Sequence, residues 1–549
     1  MKKYLFPSLL AASVALVFPA FAKETSVTKA ADKPTTGQVE EAVLRAHIGV
    51  LASDLLEGRG TGQRGADLTV LYLESQVQAL GLKPANGNSY RQLVQIAGVR
   101  ALPQESNVHL EAGGKTFNLE FGKDWVWAPG DAGADHHFDH EMVFVGYGIN
   151  APEEKWNDFK GQDLKGKLLI MMVNDPQPTA EEPQRFAGKA LTYYGRWTYK
   201  FEEAKRQGAA GVLLIHTTPS ASYGWSVVQN GWTSEKFQLN GAAPGAAMQG
   251  WMTDDTARQL FSSAGQDLDK LRAAAEKRDF VPVSLNAKIK GVAKSQIRAV
   301  DQYNIAAIVP GTDPKLKEEL VIYSAHWDHL GKQGSSENKG DTIYNGAVDN
   351  ASGSAALLAI AKVAIQTPSK RSQMFLWVAA EEQGLLGSRL YAEKPLWPLA
   401  KTAAALNLDS LNYVGSTRDM STPGSHRTQL GEIAAQVAKG MQMEIAKPEP
   451  DMSGGYFRSD HFNFAKAGVP AFSIEGGKEY VNDPVAAKEK AKAYEARYHQ
   501  VTDEYDASWD MTGMVQQAQF TLNLGKAIAN AKKMPLWKAG EPWGVGRTQ

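Results

Sequence analysis

Apolar and polar positions along this chain repeat with periods that change from one stretch to the next, and each period predicts a different element. Over residues 39–82 the spacing is helical, interrupted by the turn-rich run Glu57-Gly58-Arg59-Gly60-Thr61-Gly62. Val70, Leu73, Val77 and Leu80 recur at steps of three and four, one face of an amphipathic helix, and Gly81 follows as its C-terminal stop. Apolar runs at 142–147 and 167–173 read as strands, followed by a helix over 201–206 and a strand over 211–215. After about residue 295, short and wholly apolar runs at 320–324, 374–379 and 403–408 alternate with helical patterns at 355–365, 427–441 and 514–531. Strands alternating with helices predict an α/β fold with helices on both faces of the sheet. Functional groups then collect beyond the carboxyl ends of the strands.

Length and composition narrow this picture. A chain of 549 residues exceeds one ordinary domain, so two domains or a domain with a large insertion is expected. With 43% hydrophobic and 22% charged residues and a formal net charge of −1, it has the composition of a soluble globular protein. That balance lacks the basic surface that nucleic acid requires. At the N-terminus, Lys2 and Lys3 precede an apolar run over 5–18 and the small-x-small pattern Ala20-Phe21-Ala22. This predicts a signal peptide over 1–22 and export to the periplasm or the medium. Residues 23–38 read as a disordered leader. No later segment reads as long and apolar enough to span a bilayer, so no stable membrane insertion is expected after signal removal. The absence of cysteine excludes a thiol nucleophile and Cys-bound zinc, and leaves only His, Asp and Glu for any metal.

Four patches at predicted element ends, and a fifth near the C-terminus, carry candidate chemistry. Ser324-Ala325-His326-Trp327-Asp328-His329 follows the first apolar strand. In it the imidazole of His326 can bind a metal while a nearby carboxylate fixes its orientation; His329 reads as an ordinary solvated loop residue. Gly346-Ala347-Val348-Asp349-Asn350 enters a helix, where Asp349 suits a helix cap and an ion ligand equally well. Glu381 and Glu382 end a wholly apolar strand, and two adjacent carboxylates there are electrostatically awkward without a cation between them. Such a pair can divide its work, one ligating and one moving protons. Asp409 ends another apolar run, and His499 lies four residues before Asp503. Two His and several carboxylates at successive element ends suit two divalent ions bound without thiolate.

In this order the patches resemble the zinc aminopeptidase family M28. Leu51-Ala52-Ser53-Asp54-Leu55-Leu56-Glu57-Gly58-Arg59 and Gly455-Tyr456-Phe457-Arg458-Ser459-Asp460-His461 resemble further elements of that family. Val143-Phe144-Val145-Gly146-Tyr147-Gly148-Ile149, Trp156-Asn157-Asp158-Phe159-Lys160-Gly161 and Gly208-Ala209-Ala210-Gly211-Val212-Leu213-Leu214-Ile215 resemble the protease-associated domain. That domain shapes substrate access in such peptidases and carries no chemistry of its own. The resemblance implies a mixed-sheet zinc-peptidase (phosphorylase/hydrolase-like) domain over 39–135 and 286–535. A β-rich protease-associated insert over 136–285 and a tail over 536–549 complete it. It implies two zinc ions bridged by Asp349, with Glu382 and His499 completing one site and His326 and Asp409 the other. Glu381 would be the general base, Asp328 would support it, and Tyr456 would donate a hydrogen bond to the oxyanion. Asp460, His461 and Asp503 would be supporting residues, and peptides the substrates.

Relatives of this kind also include carboxypeptidases, glutaminyl-cyclase-like enzymes and inactive binding proteins; the last class lacks metal ligands that are all present here. The run Asp135-His136-His137-Phe138-Asp139-His140 holds three His in five positions, and its place at a predicted domain junction reads as a polar hinge loop.

Overall fold

The computed structural model describes residues 37–221, 223–240, 245–334, 340–544 and 547. The expected signal peptide and nearly all of the expected leader lie outside the described residues, as does part of the tail.

The first helices form where the periodicity places them. Glu41–Leu51 buries Leu44, Ile48 and Leu51, and Arg64–Ala79 buries Val70, Leu73 and Val77. Gly81, at φ +76°, ends the second helix. Its amide donates to the Gln78 carbonyl (2.9 Å) and that of Leu82 to the Val77 carbonyl (3.1 Å), the paired bonds of a Schellman stop.

The main sheet is mixed. The C-terminal half of a long strand, Val283–Val309, pairs antiparallel with Arg91–Ala101 on one side and Ser372–Val378 on the other. Leu320–His326, Thr402–Leu408 and Ala471–Gly476 then follow in parallel. The short strand Asp419–Ser421 adds antiparallel on that side, with Glu444–Ile445 parallel to it beyond. Both faces are covered. Trp377 donates its indole N–H to the Ser354 carbonyl on helix Gly353–Gln366. Met374, three residues earlier and so on the opposite face, accepts from the Tyr391 hydroxyl of helix Leu386–Glu393. Burial on both faces explains why these parallel strands read as unbroken apolar runs. The stretch Ala347–Gln366 is long and apolar enough to cross a membrane, which the sequence reading did not expect of any segment after the N-terminus. It is a core helix, 89% buried within the protein.

The N-terminal half of Val283–Val309 belongs to a second sheet. There it pairs with His109–Ala112 and Asp135–Phe144, and Leu168–Met172, Gly211–His216 and Met248–Thr253 continue in parallel. Val126, Leu169, Met171, Phe201, Val212 and Trp251 belong to a separate apolar cluster here. This unit draws on residues from His109 to Lys294, wider than the segment 136–285 expected from sequence. It is also less purely β, since helices Trp197–Arg206 and Asp254–Ser263 pack with it. The polar hinge expected at Asp135–His140 is corrected: it is the start of a strand. Phe138 is buried opposite Gly291, while Asp139 faces solvent and pairs with Lys288 at 3.1 Å. His136 Nε2 is spent on Asp131 (2.8 Å).

Helix Thr512–Asn530 lies close against the sheet at Gly525, where a methyl group would overlap the Tyr323 ring and hydroxyl. Alanine favours helix by about 1 kcal/mol over glycine. We expect Gly525→Ala to lose stability nonetheless, by roughly 1–3 kcal/mol, because the overlap forces the backbone or ring to move. Chemical denaturation checks the sign; an increase would show that the helix shifts freely.

Candidate metal centre

His326 ends the strand Leu320–His326 and is 1% exposed. Its Nδ1 lies 3.1 Å from the Asp328 backbone carbonyl, a contact that requires the proton on Nδ1. Nε2 therefore turns a lone pair toward whatever it faces. It faces carboxylates: Asp349 Oδ1 at 3.1 Å and Asp409 Oδ1 at 3.2 Å. His499 stands in the mirror position, with Nε2 3.2 Å from Asp349 Oδ2 and 3.1 Å from Glu382 Oε2. One Asp349 oxygen thus serves each imidazole.

A lone pair against carboxylate oxygens is repulsive unless a proton or a cation lies between them. Protons take that place when nothing else does. Burial opposes charge on His326, but the Asp409 and Glu381 carboxylates outweigh it and raise its pKa well above the imidazole range. For His499 burial is likewise overcome, by Glu382 and Asp349, to about 11. His499 Nε2 nevertheless makes no hydrogen bond of proper geometry, and neither does the buried His329 Nε2. A ring nitrogen at about 3 Å from two carboxylates without a hydrogen bond of proper geometry, as at His499, suits a shared ion better than a proton. The sets His326, Glu381, Asp409 and His329, Asp349, Glu382 each bring one donor atom per residue within 4.8 Å of the others. All are hard or borderline N and O donors, the chemistry that zinc accepts. The residues present fit a divalent metal.

Each candidate ligand is held from behind. The Asp503 carboxylate accepts the backbone amides of Val348 and Asp349, both at 3.1 Å, and the Tyr494 hydroxyl at 3.2 Å. Capping of the following helix falls to Asn350, whose Oδ1 accepts the Gly353 amide (2.9 Å), so Asp349 is free of that role. Asp328, fully buried, accepts the amides of Glu381 (3.0 Å) and Glu382 (3.4 Å) and so pins the turn after strand Ser372–Val378. The hydroxyl of Ser459 donates to Asp409 Oδ2 (2.7 Å) and accepts from Asn407 (2.8 Å).

The two adjacent glutamates are driven apart. Burial pushes the Glu381 carboxyl well above the usual range against the pull of His326, and Glu382 pushes the same way. For Glu382 burial is overcome by His499, with a further push from Asp349 outweighed, and the pKa falls to about 2. Neighbouring carboxyls with opposite shifts are the pattern expected of one ligand and one proton carrier.

The structure brings together His326, Asp328, Asp349, Glu381, Glu382, Asp409 and His499. It does not bring Tyr456. That hydroxyl donates to the Ala471 carbonyl (3.1 Å), with Arg427 over the ring at 5.2 Å. Ala471 pairs with Ala405, four residues before Asp409, which places the bond roughly 13 Å down the sheet from the centre. The aromatic ring beside the ligands is Tyr498, stacked on His499 at 3.9 Å. His329 also needs correction. It is fully buried, with Nδ1 2.7 Å from Glu382 Oε1, because the segment after His326 folds inward beneath Gly60. The signal was present in the sequence: Trp327 between two His, with no turn residue, is a poor solvated loop. The side chains of Asp460 and His461 are buried nearby and make no hydrogen bond of proper geometry.

Asp503→Asn puts an amide N–H₂ against one of two backbone donors. We expect divalent-metal affinity to fall about 10–100-fold, the usual cost of losing a residue that orients ligands. Competition with a chromophoric chelator measures it.

Comparison with known proteins shows what the chain is similar to. Leupeptin-inactivating enzyme 1 of Streptomyces exfoliatus is 30% identical over 240 residues, 41% of this chain and 50% of that protein. Leucine aminopeptidase 1 of Trichophyton rubrum is 28% identical over 193 residues, 33% of this chain and 50% of that one. The chain thus spans about half the length of these curated relatives. The aminopeptidase from Aneurinibacillus sp. strain AM-1 shares the fold, with a TM-score of 0.50 at 20% identity, over 91% of this chain and 96% of that one. The profile of peptidase family M28 matches residues 304–522, the span that holds all seven converging side chains. Over those residues the chain is similar to peptidase family M28.

Proposed function

We propose that this protein is a zinc-dependent aminopeptidase that removes N-terminal residues from peptides. The observation that carries the reading is the Asp349 carboxylate set between His326 and His499, with Glu381 beside it and raised where Glu382 is lowered. The names of the relatives, leucine aminopeptidases among them, support the choice of substrate end.

In this reading Asp349, with His499 and Glu382 on one side and His326 and Asp409 on the other, would hold two zinc ions. Zinc supplies a Lewis acid that polarises the scissile carbonyl and acidifies water. Glu381 accepts the proton that the attacking water loses as its oxygen bonds the carbonyl carbon. When the C–N bond breaks, the same carboxyl returns that proton to the leaving amine, which balances the reaction. Asp328 keeps the Glu381 carboxyl on station through the amide it accepts. Tyr456, committed to Ala471, takes no part. The second sheet is read as the protease-associated unit, and the N-terminal Lys2-Lys3 and Ala20-Phe21-Ala22 pattern as an export signal that places the activity in the periplasm or the medium.

Glu381→Gln keeps the ligand set and removes the proton carrier. We expect zinc content to hold while kcat falls about 10²–10⁴-fold. Near-normal turnover by the zinc-loaded variant would refute the role. A second measurement tests the whole reading: chelation should abolish release of amino acids from aminoacyl anilides, and zinc should restore it. Cleavage confined to C-terminally labelled peptides would make the protein a carboxypeptidase. Cyclisation of N-terminal Gln without hydrolysis would make it a cyclase.

A further inference from the structure

The turn after the first helix sends one arginine into the heart of the molecule. Glu57, Gly58 and Arg59 all have positive φ (48°, 66° and 54°), a conformation that L side chains disfavour. Gly58 has no room for a side chain, because a Cβ there would overlap the Tyr344 and Gly331 backbone. The result of this turn is that Arg59 is fully buried. Its Nε donates to the Trp327 carbonyl (2.8 Å), Nη1 to Leu51 (2.5 Å) and Asn345 (2.6 Å), and Nη2 to Gly346 (2.9 Å). All four acceptors are backbone carbonyls. Trp327 lies between His326 and Asp328, and Asn345 and Gly346 lead into Asp349. Burial lowers the Arg59 pKa to about 10 against the pull of Asp328, Asp349, Asp503 and Glu382, so it stays charged at neutral pH.

We propose that Arg59 is the positioning residue of the metal centre, its guanidinium clamping the two ligand-bearing loops to the N-terminal helix so that His326 and Asp349 are in place before metal arrives. The proposal rests on the zinc reading above. A planar fork with donors on three nitrogens suits this work, and an ammonium does not. The left-handed backbone at Arg59 is then the local cost of aiming that fork inward.

The sign of one measurement separates the possible roles. As a bare charge, Arg59 repels a dication, so removing it would tighten zinc binding. As a clamp, its removal lets the loops relax and weakens binding. As a general brace, its removal lowers the melting temperature equally with and without zinc and leaves affinity unchanged. Zinc affinity of the full chain is measured by chelator competition for the wild type, Arg59→Met and Arg59→Lys, with melting curves taken with and without zinc. We expect both variants to bind zinc at least ~10-fold more weakly while still folded, and to gain less melting temperature from zinc than the wild type does. Unchanged or tighter binding by the variants overturns the proposal. If Arg59→Met does not fold, Arg59→Lys decides alone, since wild-type affinity in that variant is equally fatal. A wild type that binds no zinc overturns the metal reading itself, and this inference with it.

Discussion

One carboxylate organises the site: Asp349, held between two imidazoles that reach it from distant parts of the chain. His326 comes from a strand end and His499 from a loop 150 residues after Asp349, yet both Nε2 atoms stand just over 3 Å from its two oxygens. Asp328, Glu381, Glu382, Asp409 and Asp503 crowd the same region. So many like charges withdrawn from water are sustainable only around positive charge. Without metal, the imidazoles must carry that charge as protons, which explains why His326 and His499 are raised while Glu382 is lowered. In the proposed zinc enzyme the same atoms would be the ligands. Protonation and metal binding are alternative answers to a single electrostatic demand.

The fold meets that demand by aligning its parallel strands. Leu320–His326, Ser372–Val378 and Thr402–Leu408 run the same way, so their carboxyl ends deliver His326, the Glu381–Glu382 turn and Asp409 to one edge of the sheet. The helix entry after Gly346 brings Asp349 to the same edge. The pieces are then locked laterally rather than along the chain. Asp503 grips the Asp349 backbone, Asp328 grips the glutamate turn, and Ser459 grips Asp409. Arg59 ties two of these loops to a helix that belongs to neither. Each bond is ordinary; their number leaves the ligands little freedom to move.

What the sequence disclosed follows from what its local pattern can encode. Strands buried on both faces leave unbroken apolar runs, so the central elements were legible, and a carboxylate at the end of such a run stood out. The fate of a side chain that depends on distant partners was not. Arg59 bonds carbonyls 268 and 286 residues away, which no local pattern announces. Tyr456 sits in a recognisable motif, but its hydroxyl is claimed by a neighbouring strand. His329 looked like loop because its burial comes from glycines at 60 and 346 packing over it. Alternation hidden within Asp135–His140, with Phe138 as its inward member, became visible only once a partner strand was in place.

The long strand Val283–Val309 passes from one sheet to the other without a break, changing partners between Lys294, opposite Asp135, and Ser295, opposite Ala101. Two bodies joined by a loose linker can swing open about it. Two bodies that share a strand are held more firmly, because the strand is paired on either side of the junction. For the second unit, twisting of the shared strand is therefore an easier motion than hinge opening. Its orientation toward the main sheet is set by backbone pairing rather than by a linker.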